Sequence, residues 1–244
     1  PAVTVNEDGS TKQYVFRACF LDPFQGEVMA SFAKDDLGAK TAAVLYDVGN
    51  DYVKGLAEYF KESFEKMGGT VSVFEAYTKD DTDFSAVLGK VAAANVDVLF
   101  LPDYYAKNNL IAAQVKEKGI KATLLGGDGW DSPELKFDLF EGGYFSNHYS
   151  PADPRPLVQN FVKAYQAKYN KEVPLPIVPL VHDSFGAFIN FLDGQATMDT
   201  KAWVDGFSTH HWPGVMGVDN YLVGKPMFGI NRQIMKPPWV SEYK

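Results

Sequence analysis

The sequence predicts an α/β fold built on a doubly wound parallel sheet. Between Tyr14 and about Tyr149, short apolar runs alternate with longer amphipathic ones. Most of the short runs are mainly apolar and do not alternate with polar residues, as expected of strands covered on both faces rather than one. Their starts recur about every 21 to 30 residues, the length of one strand–helix unit. Alternation of this kind implies a parallel sheet with helices on both sides.

The strand candidates, in order, are YVFRACF (14–20), TAAVLYD (41–47), VSVFEAY (71–77), VDVLFLP (96–102), ATLLGG (122–127) and GYFSNHY (143–149). Between them, Val53, Leu56, Ala57, Phe60, Phe64 and Met67 form one helical stripe with Lys and Glu opposite, ended by Gly68-Gly69. DFSAVLGKVAAA (83–94) and NLIAAQVKEKG (109–119) predict two more helices. Asp51 and Asp83 read as helix caps, and Ser132-Pro133 as the cap and first residue of a further helix.

The texture changes after Ser150. SPADPRP (150–156) is a proline-rich connector, followed by a helix with Val158, Phe161, Val162 and Tyr165 on one stripe. Further helices are expected at about 180–193 and 199–207, with no strand between them. Only residues 215–236 regain extended character, and KPPWVSEYK reads as an extended tail. Helices with apolar faces need something to cover, and two solutions stand: a cap of helices packed on one another, or a sheet encoded outside this chain. The second is the expectation.

Composition excludes several functions. The 244 residues carry a formal net charge of −8 and no basic stripe, which makes a nucleic-acid partner a poor fit. The longest apolar runs, such as Val98–Leu101, fall far short of a membrane span. No charged-then-apolar leader opens the chain, and Pro1 stands where an initiator methionine would, so a processed or truncated product is expected. Cys19 is the single cysteine and excludes an internal disulfide; its apolar setting favours a buried structural thiol over a nucleophile.

In an open parallel sheet, ligands bind beyond the carboxyl ends of the strands. Those ends carry Asp22, Phe24 and Gln25; Asp47, Asp51 and Tyr52; Tyr77 and Thr78; Asp103, Tyr104 and Tyr105; Asp128 and Trp130; and Asn147, His148 and Tyr149. Taken singly, each acid is an ordinary turn or cap residue. Repeated on one edge, acids and amides beside aromatic rings make a small-molecule cleft that favours a cationic group such as an ammonium.

The sequence lacks a nucleophile elbow and a phosphate-binding glycine–lysine loop. Gly127-Asp128-Gly129-Trp130 has two glycines of a dinucleotide fingerprint, but Trp130 would obstruct a pyrophosphate and Asp128 would repel it. His210 and His211, being adjacent, cannot both face one metal from a strand, and KDDTD (79–83) lacks calcium-loop spacing. Neither a metal nor a cofactor is expected.

YVFRACFLDPFQG, VLYDVGNDYVKGLAEYF, DTDFSAVLGKVAAANVDVLFLPDYY, LLGGDGWDSPEL and GGYFSNHY together resemble the type I periplasmic solute-binding proteins, most closely the branched-chain amino-acid receptors of ABC importers. The resemblance covers almost the whole chain in order. It implies two Rossmann-like lobes: residues 14–149 as a complete second lobe, 151–228 as part of the first, mainly helices, and 229–244 as a C-terminal crossing or tail. The first half of the first lobe would precede Pro1. It also implies pocket roles for Tyr52 and for Tyr104 or Tyr105. Asp128 would pair with a ligand ammonium, and Asp22 and Gln25 would form a polar pair. Trp130 is the expected aromatic wall beside Asp128. His182 replaces the family's usual tyrosine before Asp183.

The function so implied is a non-enzymatic receptor in the periplasm, or outside the cell on a lipid anchor. It would bind an amino acid or related small amine and deliver it to an ABC permease, as a monomer when full length. Two alternatives stand beside it: a ligand-sensing regulatory domain of the same fold, and an α/β enzyme using Asp128 or Asp103 as a base.

Overall fold

Five of the six apolar runs become β-strands in the computed structural model, which describes residues 4–16, 19, 21–170, 173–194, 199–207, 214–215 and 234–235. The chain divides into two units, one spanning Asp22–Asn147 and Ile234–Lys244, the other Pro1–Leu21 and His148–Gln233.

The first unit is built on a sheet. Its strands are β1 (Thr41–Asp47), β2 (Thr70–Tyr77), β3 (Val98–Leu101), β4 (Thr123–Gly126), β5 (Tyr144–Ser146) and β6 (Ile234–Met235). They lie in the order β2-β1-β3-β4-β5-β6. The first five are parallel, and β6 runs antiparallel to β5. Its helices are α1 (Asp22–Ser31), α2 (Asp51–Lys66), α3 (Ser85–Ala94) and α4 (Tyr105–Glu117).

Burial on both faces explains the uninterrupted apolar runs. Ala43 and Leu45 of β1, Leu99 and Leu101 of β3 and Leu124 of β4 pack into one core with Leu88, Val91, Ile111 and Val115 of α3 and α4. Their neighbours Ala42, Val44, Val98, Phe100 and Leu125 point the other way, into a core with Met29 of α1 and Leu56, Phe60 and Phe64 of α2. There Phe60 stacks on Phe100 at 4.4 Å. The side-chain period of two thus sends every second residue to a different helix layer.

The strand starts are tied by one carboxylate. Asp97 Oδ2 accepts from the Lys40 and Thr41 amides at 2.8 and 2.9 Å and from Thr41 Oγ1 at 3.0 Å. The Lys40 amide, then that of Thr41, lowers the Asp97 carboxyl below its ordinary range.

Several local expectations need correction. The cap of α2 is Asn50, whose Oδ1 accepts from the Tyr52 and Val53 amides; Asp51 is the first helical residue. Asp83 does bond the Ser85 amide at 2.8 Å, but Phe84 occupies the cap position of α3. Met67 lies past the end of α2 and is exposed. No helix follows Pro133: Ser132 Oγ accepts the Glu134 amide in a turn, and only short 3-10 segments occur at Asp128–Trp130 and Phe137–Leu139. Helix α1, extended by a π-helical turn over Phe32–Asp36, begins at the residues read as a strand-end loop. It crosses α2 closely at Gly26, where a Cβ would meet Phe60 N at 2.7 Å and Leu56 O at 2.9 Å.

The second unit holds α5 (Pro156–Lys168), α6 (Ile177–Asp193) and α7 (Thr200–Phe207). Its core gathers Tyr149, Val158, Val162, Leu180, Ala187, Phe191 and Phe207. Buried Asp183 accepts the Val215 amide at 3.0 Å, and Asp153 pairs with Arg155 at 2.9 Å. The strand expected at 14–20 is not one where it is described. Phe16 instead sits edge-on to Phe207 at 4.8 Å, and Cys19 packs on the same helical core. Arg17, Ala18 and Phe20 lie outside the described residues, as do His210, His211, nearly all of the expected extended region and the C-terminal tail.

Along α6, the apolar side chains of Ile177, Val181, Phe185, Phe188 and Ile189 are all exposed, 63% for Phe185 and 62% for Ile189. Spacings of three and four put them on one stripe, opposite the buried Leu180, Ala187 and Phe191.

Candidate functional site

The sheet order places a crevice at a defined point. From β1 the chain passes outward through α2 to β2, then returns through α3 to β3 on the other side of β1. Helix α2 covers one face and α3 the other. The carboxyl ends of β1 and β3 therefore flank the position where strand order reverses, which is where open α/β sheets take ligands. Tyr52, in the first turn of α2, and Tyr104, the cap residue of α4, stand there with ring centroids 5.3 Å apart.

The turn after β4 brings Asp128 to the same place. Its Oδ1 accepts the Tyr52 hydroxyl at 2.5 Å and Gln25 Nε2 at 2.9 Å. Gln25 Oε1 in turn accepts the Asp128 amide at 3.1 Å and Ser146 Oγ at 2.7 Å. The Gly129 amide donates to the Tyr52 oxygen at 3.3 Å. The Asp128 carboxylate thus joins α1, α2 and the turn after β4, and Gln25 extends the network to β5.

The glycines of this turn are needed for closeness rather than for a left-handed backbone. Gly127 has φ −105°, and a Cβ there would meet Leu56 Cδ2 at 2.7 Å, the Tyr52 hydroxyl at 3.0 Å and Gln25 Oε1 at 3.1 Å. A Cβ on Gly129 would press on the Asp103 carbonyl oxygen at 3.0 Å. Larger residues would push Asp128 out of the network.

The rim has a negative field. Burial first, then the Asp128 charge, raises the Tyr52 phenol well above its ordinary value, so it stays a neutral donor. Tyr104 is also raised, by burial and then by Asp128, Asp103 and Asp22 in turn. Three carboxylates acting on one half-exposed ring make the site electrostatically suited to a cation.

The structure sorts the residues expected from sequence. Tyr52, Tyr104, Gln25 and Asp128 come together. Asp22, at the start of α1, lies beside Gly55, where an added Cβ would stand 3.8 Å from its Oδ2. Trp130 does not join them. It is fully buried, donates Nε1–H to the Leu101 carbonyl at 2.9 Å and packs against Phe140 and Phe145. Its indole covers Gly126, so it is part of the core beneath the turn and no rim wall. Tyr105 points to the α3–α4 core, which singles out Tyr104 of the pair. Asp103 is 5% exposed with its oxygens on the Tyr77 hydroxyl and the Tyr104 amide, each at 2.6 Å, an arrangement that leaves it poorly placed as a base for a substrate. Burial raises its carboxyl, against those two hydrogen bonds. Ser146 is a member that sequence reasoning missed; its one signal is a hydroxyl at the end of an otherwise aromatic strand.

A sheet of five parallel strands with helices on both faces, and an acid, an amide and two tyrosines near its switch point, defines a lobe of the doubly wound α/β class. The chain belongs to the periplasmic binding protein family, whose profile matches residues 1–239. A Leu/Ile/Val-binding protein homologue of Brucella melitensis is 34% identical over 157 residues, which are 63% of this chain and 42% of that protein. A leucine-binding protein of Thermotoga maritima has a solved structure that superposes with a TM-score of 0.80 at 31% identity, covering 92% of this chain and 67% of that one. The branched-chain amino acid transporter substrate-binding protein of Streptococcus pneumoniae, solved with isoleucine, gives 0.76 at 26% identity, covering 93% and 68%. The matched stretch therefore spans less than half of the curated relative's length.

Proposed function

We propose that the protein is a solute receptor of an ABC importer, binding an amino acid of the leucine, isoleucine and valine class outside the cytoplasm and passing it to a membrane permease without chemical change. Asp22–Asn147 act as one ligand-gripping lobe, and Pro1–Leu21 with His148–Gln233 belong to the other, so the lobe begins eight residues later than the sequence suggests. The observation that carries this reading is the network of Tyr52, Gln25 and Ser146 around Asp128. Tyr52 and Gln25, the latter held by Ser146, fix a carboxylate at the switch point beside two tyrosine rings in tilted contact, where it pairs with the ligand ammonium. The names of the relatives supply the substrate class.

Calorimetric titration of the whole protein with leucine, isoleucine and valine tests it, repeated on Asp128→Ala. The unaltered protein is expected to bind at least one, and the variant none, with its circular dichroism unchanged. Full affinity in Asp128→Ala overturns the role of Asp128. No binding of any of the three by the unaltered protein overturns the substrate class.

A further inference from the structure

Asp103 is a buried acid of the strand-end set whose hydrogen bonds tie neighbouring elements together. It is 5% exposed and lies just past β3. Its Oδ2 accepts the hydroxyl of Tyr77, the last residue of β2, at 2.6 Å. Its Oδ1 accepts the amide of Tyr104, its own successor, also at 2.6 Å. Its backbone carbonyl accepts from Nδ2 of Asn108, which is fully buried in α4. The Gly129 backbone closes the fourth side, near enough that a Cβ there would meet both the Asp103 carbonyl oxygen and Tyr104 Cα. Among the described residues, no hydrogen bond holds the Tyr104 side chain; the residue is 49% exposed and its ring touches that of Tyr52. An exposed ring holds one position only if its backbone is fixed, because the rotamer entropy it would regain by swinging into solvent is otherwise unopposed.

We propose that Asp103 is a positioning residue: by clamping the Tyr104 backbone between β2, α4 and the Gly129 turn, it fixes the Tyr104 ring against Tyr52 and sets the aromatic wall beside Asp128. The consequence for amino-acid affinity rests on the rim being the binding site; the clamp itself does not. Asp103 touches no ligand and acts through Tyr104. Asparagine at this position keeps Oδ1 for the Tyr104 amide and offers Nδ2 to the Tyr77 oxygen, whereas alanine offers neither.

The test has two arms. In the ligand-free protein, tyrosine-ring NMR signals assigned with Tyr52→Phe and Tyr104→Phe read the ring-current shift that each ring exerts on the other. Asp103→Ala is expected to abolish that shift and Asp103→Asn to retain it. An undiminished shift in Asp103→Ala overturns the proposal. If Asp103→Ala does not fold, Tyr77→Phe removes one of the two donors and is expected to reduce the shift; no reduction overturns the proposal equally.

The second arm is a double-mutant cycle with leucine as the probe. Asp103→Ala is expected to weaken binding about tenfold in the natural background and not at all in the Tyr104→Ala background. Losses that simply multiply show that Asp103 does not act through Tyr104, and overturn the proposal. If the unaltered protein binds no leucine, the reading of the rim falls, while the NMR arm still decides the clamp.

Discussion

The Tyr52 hydroxyl donates to Asp128 Oδ1 across 2.5 Å, joining residues 76 positions apart in sequence. The same oxygen accepts the Gly129 amide, so one phenol orients both the carboxylate and the turn that carries it. Tyr52→Phe keeps the ring beside Tyr104 and removes only this double role. Leucine affinity is expected to fall about tenfold, the size of one charge-assisted hydrogen bond. Calorimetry on the variant checks it, and unchanged affinity separates the phenol from the site.

Gly126 lies under an indole. A Cβ at this position would overlap Trp130 Cε2 and Nε1. The ring is held on its other side by Phe140 and by the Leu101 carbonyl, so it cannot slide away. Gly126→Ala is expected to cost about 3 kcal/mol or more by overpacking. Gly89→Ala, in α3 with nothing within 4 Å of the added carbon, is expected to be neutral or to stabilise by about 0.5–1 kcal/mol. Urea unfolding of the two variants gives the comparison.

Asp97 predicts a pH dependence with a definite sign. Its folded carboxyl is lowered below the ordinary 3.8 by the Lys40 and Thr41 amides. A lowered folded value means a contribution present above the unfolded value and lost as pH falls through the folded one. Asp97→Asn is therefore expected to destabilise only slightly at pH 7, because the carboxylate is exposed and water screens its charge. The difference from the unaltered protein should shrink as pH drops below 3.8. Thermal melts across that range measure it, and a gap that widens with acid contradicts the assignment. Subtracting the two curves removes the similar contributions of Asp81 and Asp83, which are also lowered.

The exposed stripe on α6 is expected to bind an apolar dye. Phe185→Ser and Ile189→Ser remove two of its most exposed members without touching the buried face of the helix. Dye fluorescence and concentration-dependent association should both fall, with the melting temperature nearly unchanged. A large loss of stability would place these side chains in a core after all.

Much of the sheet is legible in the sequence because strands buried on both faces leave an unbroken apolar run. Val98–Leu101 can hardly be read otherwise. The run at 14–20 looks the same, yet Phe16 finds its partner in Phe207, far away in sequence, and no local pattern encodes that choice. Helix α1 escapes a local reading because Asp22, Pro23 and Gly26 are turn residues by type, although Gly26 serves a close helix crossing. In the candidate site, Asp128, Tyr52 and Tyr104 are visible from their place at strand ends, whereas Gln25, expected in the loop after a strand at 14–20, reaches Asp128 from helix α1 instead. Trp130 is misplaced by its context for a physical reason: polar turn neighbours suggest a rim, whereas its indole has an apolar body and one N–H, and both needs are met inward. Ser146 and Asn108 are invisible because their work is to satisfy other polar groups.

The burial of Trp130 has an optical consequence. An indole sealed from water emits at short wavelength and is out of reach of dissolved quenchers. Trp130, fully shielded beneath the strand ends, would report the melting of the sheet and be nearly silent to what arrives above it. The half-exposed phenol of Tyr104, by contrast, stands in solvent and against a second ring at once. Trp130 is one of four tryptophans in the sequence, so its sheltered emission is isolated by comparison with Trp130→Phe.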